Sequence, residues 1–115
     1  MRIGVLDLLV DSPRNWMNFA YRGVLKKQYA SIAPQAVAVW CRQLGHEVFY
    51  VSYYGQRDPK RMLPNDLDVV FIATYTQSSA LAYALSKVFR MEGTLTAIGG
   101  PHAKSFPRDC LRFFD

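Results

Sequence analysis

Two short runs hold most of the polar chemistry that this chain could offer a ligand. Thr74-Tyr75-Thr76-Gln77-Ser78-Ser79 groups hydroxyls with an amide, and Gly99-Gly100-Pro101-His102 sets two glycines before a proline and a histidine. Hydroxyl and amide side chains donate and accept hydrogen bonds. Glycines carry no Cβ, so a ligand can approach their backbone closely. A third run, Val10-Asp11-Ser12-Pro13, follows the first apolar stretch and adds a carboxylate and a hydroxyl. Together these runs suit a large neutral or phosphate-bearing ligand. A plainer role is open to the same residues: Thr74 and Thr76 as strand ends, Ser79 as a helix cap, and Gly99-Gly100 as a turn. His102 is equally open, to a ligand or to the adjoining loop.

Catalytic patterns are sparse. No Gly-x-Gly-x-x-Gly follows the first apolar run, and there is no Gly-x-x-x-x-Gly-Lys-Ser/Thr phosphate loop. No Gly-x-Ser-x-Gly elbow is present. The third apolar run ends at Ala73-Thr74 without an aspartate, which counts against a phosphorylatable receiver domain. Arg14 and Asn15 do not replace the Ser/Thr-rich turn that a flavin phosphate needs. His46 follows Gly45 and precedes a strand, which predicts a turn histidine favoured by the end of a helix dipole. Cys41 and Cys110 lack a second Cys or His at ligand spacing, so buried free thiols are expected.

Positioning these residues requires a scaffold, and the hydrophobic pattern supplies one. Ile3 to Val10, Glu47 to Ser52, Asp68 to Thr74 and Thr94 to Ile98 read as strands, the first and third nearly wholly apolar. Such runs suit strands buried on both faces. Ala33 to Leu44 reads as a helix with Pro34 in its first turn, a stripe of Val37, Trp40, Cys41 and Leu44, and Gly45 past its end. A second helix starts at Ser78 or Ser79. It buries Leu81, Ala84, Leu85, Val88 and Phe89, and Gly93 ends it. Ser105 is expected to cap a last helix running to Phe114, and a short helix is expected after Pro59. Residues 11–30 form a long aromatic-bearing loop with room for a short helix over 14–22. Strands alternating with helices imply parallel pairing with right-handed crossovers. The expected fold is an α/β three-layer, flavodoxin-like (Rossmann-like) sandwich with sheet order 2-1-3-4 and the usual fifth strand missing. In such sheets ligands bind outside the carboxyl ends of the strands, where strand order reverses. The three polar runs converge there.

At 115 residues the chain makes one domain with one sizeable core. No apolar run approaches the ~20 residues of a membrane span, and Met1-Arg2-Ile3-Gly4 leads straight into the first strand without the long apolar stretch and small-residue cleavage site of a signal peptide. A cytoplasmic location is expected. The net charge of +5 gathers at Arg14, Arg22, Lys26 and Lys27, and again at Arg57, Lys60 and Arg61. No nucleic-acid motif accompanies it, so a solvated or partner-facing surface is expected, with no nucleic acid as partner and no membrane span.

Pro34-Gln35-Ala36 leading to Leu44-Gly45-His46-Glu47-Val48, then Asp68-Val69-Val70-Phe71-Ile72, then Gly99-Gly100-Pro101-His102-Ala103, resembles the N-terminal cobalamin (B12)-binding domain of B12-dependent radical SAM proteins. Pro107 and Asp115 fit the same pattern, so the resemblance covers about residues 3–115. It implies a corrinoid across the carboxyl edge of the sheet. Asp11, Ser12, Thr74, Tyr75, Thr76, Gln77, Gly99, Gly100, Pro101 and His102 would line that site. Thr74, Thr76 and Gln77 would touch the nucleotide tail, and Gly99 and Gly100 would make room for it. Thr74-x-Thr76 stands where base-off, His-on B12 domains carry Ser-x-Leu. Asp11-Ser12-Pro13-Arg14-Asn15-Trp16 stands where they carry Asp-x-His-x-x-Gly, so no lower axial histidine comes from that loop. The Cys-x-x-x-Cys-x-x-Cys of a [4Fe–4S] cluster is absent from these residues. The cluster and S-adenosylmethionine would belong to a C-terminal radical SAM domain of a longer polypeptide, of which residues 1–115 would be the N-terminal part. A cofactor-free domain of the same fold, docking on that partner, is the alternative.

Overall fold

The apolar runs fold as strands because side chains that alternate across a strand find cover on both faces, complete over Ile3 to Leu8 and, over Val69 to Thr74, buried on one face and half-buried on the other. The computed structural model describes residues 1–9, 31–55 and 58–115. The 11–30 loop, its possible helix, Asp11, Ser12, Arg14, Arg22, Lys26, Lys27 and Arg57 lie outside them. The described strands are β1 (Arg2–Leu8), β2 (Glu47–Tyr53), β3 (Val69–Thr74) and β4 (Leu95–Gly99). They form a four-stranded parallel sheet in the order β2-β1-β3-β4, as expected. The register sets Leu8 beside Tyr53 and Thr74, and Ala73 beside Gly99. The carboxyl ends of all four strands therefore share one edge.

Helices cover both faces. Helix α1 (Ile32–Gln43) packs Ala38 against Ile3 and Val5 on one side of β1. Helix α2 (Ser79–Met91) lays Ala82, Leu85 and Phe89 against Leu6, Leu8, Val70 and Ile72 on the other, joined by Leu63, Leu67 and Phe114. The β1-to-β2 and β3-to-β4 connections run in opposite directions across the sheet. Crossovers of one hand then place their helices on opposite faces. The result is the α/β three-layer, flavodoxin-like sandwich.

Glycines end both helices as expected. Gly45 takes φ +87° and donates its amide to the Arg42 carbonyl, while the His46 amide reaches Cys41. Gly93, at φ +83°, repeats this pattern on Arg90, with Thr94 reaching Phe89. The short helix after Pro59 is a 3₁₀ turn, Pro59–Met62, whose N-cap Asp58 accepts the Lys60 amide at 3.0 Å. Among the described residues, no helix is long and apolar enough to cross a membrane.

Three expectations need correction. In α1 the sheet-facing side is Pro34, Val37, Ala38 and Cys41, while Trp40 and Leu44 are 61% and 75% exposed. In α2, Ala82 and Ser86 are buried, whereas Ala84 and Val88 face outward. Small residues occupy the positions nearest the sheet, where a large side chain would hold the helix away. Ser105 does not cap a last helix. Helix α3 (Pro101–Ser105) begins directly after Gly100, with Pro101 as its first residue, and ends at Ser105. Pro107 disfavours helical backbone at Phe106, which turns to φ −129°, ψ 56° before helix α4 (Pro107–Cys110) starts. Cys41 is half-buried and Cys110 buried, both free thiols as expected.

Asp115 closes the outer side of β4. Its backbone amide donates to the Thr96 carbonyl, and its carboxylate accepts the Thr96 amide and hydroxyl, each at 2.9 Å. Arg90 Nε lies 3.2 Å from the same carboxylate. The Thr96 amide first, then the Thr96 hydroxyl and Arg90, hold the Asp115 carboxyl below the usual aspartate range. A carboxyl lowered in the folded state adds stability above its unfolded pKa and loses it as pH falls through the folded one. Urea midpoints of the wild type and Asp115→Asn are therefore expected to differ at neutral pH and to converge in acid. A gap independent of pH would contradict this.

Candidate functional site

The carboxyl edge is built from the ends of β3 and β4 and the turns that follow them. Thr74 ends β3 at 1% exposure, with its hydroxyl 2.7 Å from that of Ser78. Both hydroxyls lie within reach of the Tyr75 carbonyl, at 3.0 and 3.1 Å. Ser78 thus holds the turn Thr76–Ser78, and its hydroxyl makes no cap bond to α2. Ser79 donates its hydroxyl to the Thr76 carbonyl at 2.8 Å. The turn faces outward through Tyr75, Thr76 and Gln77, all exposed.

Gly99 and Gly100 play different parts. Among the described residues, a Cβ on Gly99 would meet nothing within 4 Å. Gly100 adopts φ +98°, ψ −178°, a region that only glycine populates readily. A Cβ there would sit 2.7 Å from the Thr74 carbonyl oxygen. The turn after β4 is thereby pressed against the end of β3, and Pro101 stands exposed beside it.

His102 is 5% exposed, and both ring nitrogens are engaged. Nε2 lies 2.7 Å from the Tyr83 hydroxyl and Nδ1 lies 3.3 Å from Thr76 Oγ1. The Tyr83 hydroxyl is also 3.8 Å from Cys110 Sγ. Phe113 stacks on Tyr83 with centroids 4.3 Å apart, and Phe106 tilts against the imidazole at 5.1 Å. One nitrogen of His102 therefore meets the turn after β3, through Thr76, and the other meets Tyr83 of α2. His46 lies at the amino edge, with Nδ1 3.4 Å from the amino terminus.

The structure thus brings Thr74, Tyr75, Thr76, Gln77, Gly99, Gly100, Pro101 and His102 to one edge, and Asp11 and Ser12 are outside the described residues. Sequence reasoning missed Tyr83 and Cys110, which complete the environment of His102. It also passed over Asp7, fully buried in β1, whose carboxylate accepts the Ser31 amide at 2.9 Å and hydroxyl at 3.1 Å. The Tyr50 phenol donates to it at 3.2 Å, and burial first, opposed by Ser52 and reinforced by Asp7, pushes that phenol above its ordinary pKa. A lone carboxylate in an otherwise apolar strand is the signal that could have flagged it.

Among the described residues, no three His, Cys, Asp or Glu side chains gather where they could hold a metal ion. No protein-family model, curated protein or solved structure matches this chain. The site therefore rests on its own geometry.

Proposed function

We propose that the chain is a corrinoid-binding module, holding cobalamin at the carboxyl edge of the sheet without a lower axial histidine. The observation that carries this is the exposed backbone at Gly99, where a Cβ would meet nothing within 4 Å among the described residues. The exposed Thr76 and Gln77 follow the neighbouring strand. The fit is to the nucleotide tail, which needs close backbone approach and hydrogen-bonding groups. No described histidine stands ready for cobalt, since His102 is engaged at both nitrogens and His46 is at the far edge. A bound corrinoid would supply cobalt-centred chemistry such as methyl transfer, and the protein would supply binding and orientation. On this proposal a radical SAM domain with its [4Fe–4S] cluster and S-adenosylmethionine is the partner, in the cytoplasm.

Titration with hydroxocobalamin tests it. The protein is expected to retain corrinoid absorbance after desalting, with a dissociation constant of roughly micromolar order, equivalent to about −8 kcal/mol. Cobinamide, which lacks the tail, is expected to bind more weakly. Loss of all absorbance on desalting at such concentrations would count against the proposal.

One observation favours the alternative of a cofactor-free docking domain. A groove lined by Lys87, Arg90, Met91, Arg112 and Phe113 lies away from the carboxyl edge. Met91, Leu95 and Leu111 are 80%, 57% and 75% exposed. Cations beside exposed apolar side chains suit a protein surface, and this reading predicts no corrinoid at all.

A further inference from the structure

The contacts of His102 form a chain from the protein interior to the rim: Cys110 Sγ, Tyr83 Oη, the imidazole, then Thr76 Oγ1. Each hydroxyl has one hydrogen and each neutral imidazole one N–H, so the direction of one link fixes the others. The shortest link decides. At 2.7 Å, Tyr83 faces Nε2. An imidazole nitrogen is a strong acceptor and a phenol a strong donor, whereas phenol oxygen accepts poorly. Tyr83 therefore donates to Nε2. That leaves the phenol oxygen to accept from the Cys110 thiol, and the ring proton on Nδ1. Nδ1–H then donates to Thr76 Oγ1, so the Thr76 hydroxyl hydrogen has no acceptor on the ring and turns outward. Burial, together with Cys110 and Asp109, pushes the Tyr83 phenol up, so it keeps the proton that starts the chain.

We infer that His102 and Tyr83 are positioning residues that direct the Thr76 hydroxyl hydrogen away from the ring at the carboxyl edge, so the ligand group that this hydrogen meets is an acceptor. An ether, phosphate or carbonyl oxygen, or an unprotonated ring nitrogen, meets that requirement. The tautomer follows from the protein alone, whereas the role toward a ligand rests on the corrinoid proposal.

Side-chain ¹⁵N NMR of the histidines separates the two. His102 is expected to carry its proton on Nδ1 in the wild type, and Tyr83→Phe to shift it toward Nε2. A wild-type protein with the proton on Nε2 overturns the inference, whether or not Tyr83→Phe folds. The second arm titrates hydroxocobalamin into the wild type, Thr76→Val and Thr76→Ser. Thr76→Val is expected to bind about tenfold more weakly and Thr76→Ser like the wild type. Equal binding by all three removes Thr76 as a donor to the ligand. No binding by the wild type sinks the corrinoid proposal instead, and the NMR result then decides the relay.

Discussion

Replacing Gly100 by alanine is expected to destabilise the protein by about 3 kcal/mol, and replacing Gly99 by less than about 0.5 kcal/mol. The two residues are adjacent, and their surroundings are opposite. Gly100 has φ +98° and ψ −178°, where an L side chain costs roughly 1–3 kcal/mol. Its new Cβ would also press on the Thr74 carbonyl oxygen at 2.7 Å. That oxygen belongs to a buried strand end and has little freedom to move, so overpacking adds to the strain. At about 4 °C per kcal/mol for a domain of this size, the Tm should fall by roughly 12 °C. Gly99 is exposed and has no neighbour within 4 Å of a Cβ among the described residues, so alanine displaces none of them. Its effect should appear in corrinoid titration, where the methyl group would stand between the ligand and the backbone. A Gly99→Ala protein that loses stability as Gly100→Ala does would contradict this division of roles.

Phe89→Ala should cost about 3–5 kcal/mol, a large share of the roughly 5–15 kcal/mol that holds a domain together. Phe89 is 1% exposed and lies in the cluster with Leu6, Leu8, Leu63, Leu67, Val70, Ile72, Leu85 and Phe114. Strands β1 and β3, helix α2 and the segment after Pro59 all contribute to that cluster, so no single element can collapse into the vacancy. The Lys60 ammonium lies 5.0 Å from the ring centroid and 2.8 Å from the Glu92 carboxylate. Truncation takes the aromatic face from beneath that cation while leaving its ion pair. Trp40→Ala is the control. The ring is larger, but at 61% exposure its removal should cost less than about 1 kcal/mol. Urea denaturation of both variants checks the ordering, and a Trp40 loss equal to that of Phe89 would show the α1 face to be wrongly placed.

That comparison shows where the sequence could be read. The strands were plain because continuous apolar runs such as Val69 to Thr74 have one economical home, a parallel sheet covered on both sides. Their order followed from the alternation with helices. Helix faces were harder. Hydrophobic size favours Trp40 and Leu44 as core residues, yet close helix–sheet contact selects Pro34 and Ala38. Ser86 was invisible as a core residue because its burial depends on Thr96 and the Phe113 carbonyl, far along the chain. The error at Ser105 was avoidable. Pro101 after Gly100 marks a helix start, and Pro107 marks a stop at Phe106. The edge carrying the polar runs was legible from topology, but the engagement of His102 was not, since Tyr83 and Cys110 reach it only through the packing of α2 and α4.

The clasp of Asp115 on Thr96 bears on the outer rim of β4, the last strand among the described residues. The last strand of an open sheet presents unpaired amides and carbonyls, a template on which another chain's strand can add. Here the Thr96 amide and carbonyl on that rim are already taken, one by a carboxylate and one by a backbone amide. A foreign strand would have to displace a charged group and its Arg90 partner before it could pair at Thr96. The same contact that tunes one carboxyl thus occupies a strand-pairing position of β4, and strong acid, by neutralising that carboxyl, would loosen it.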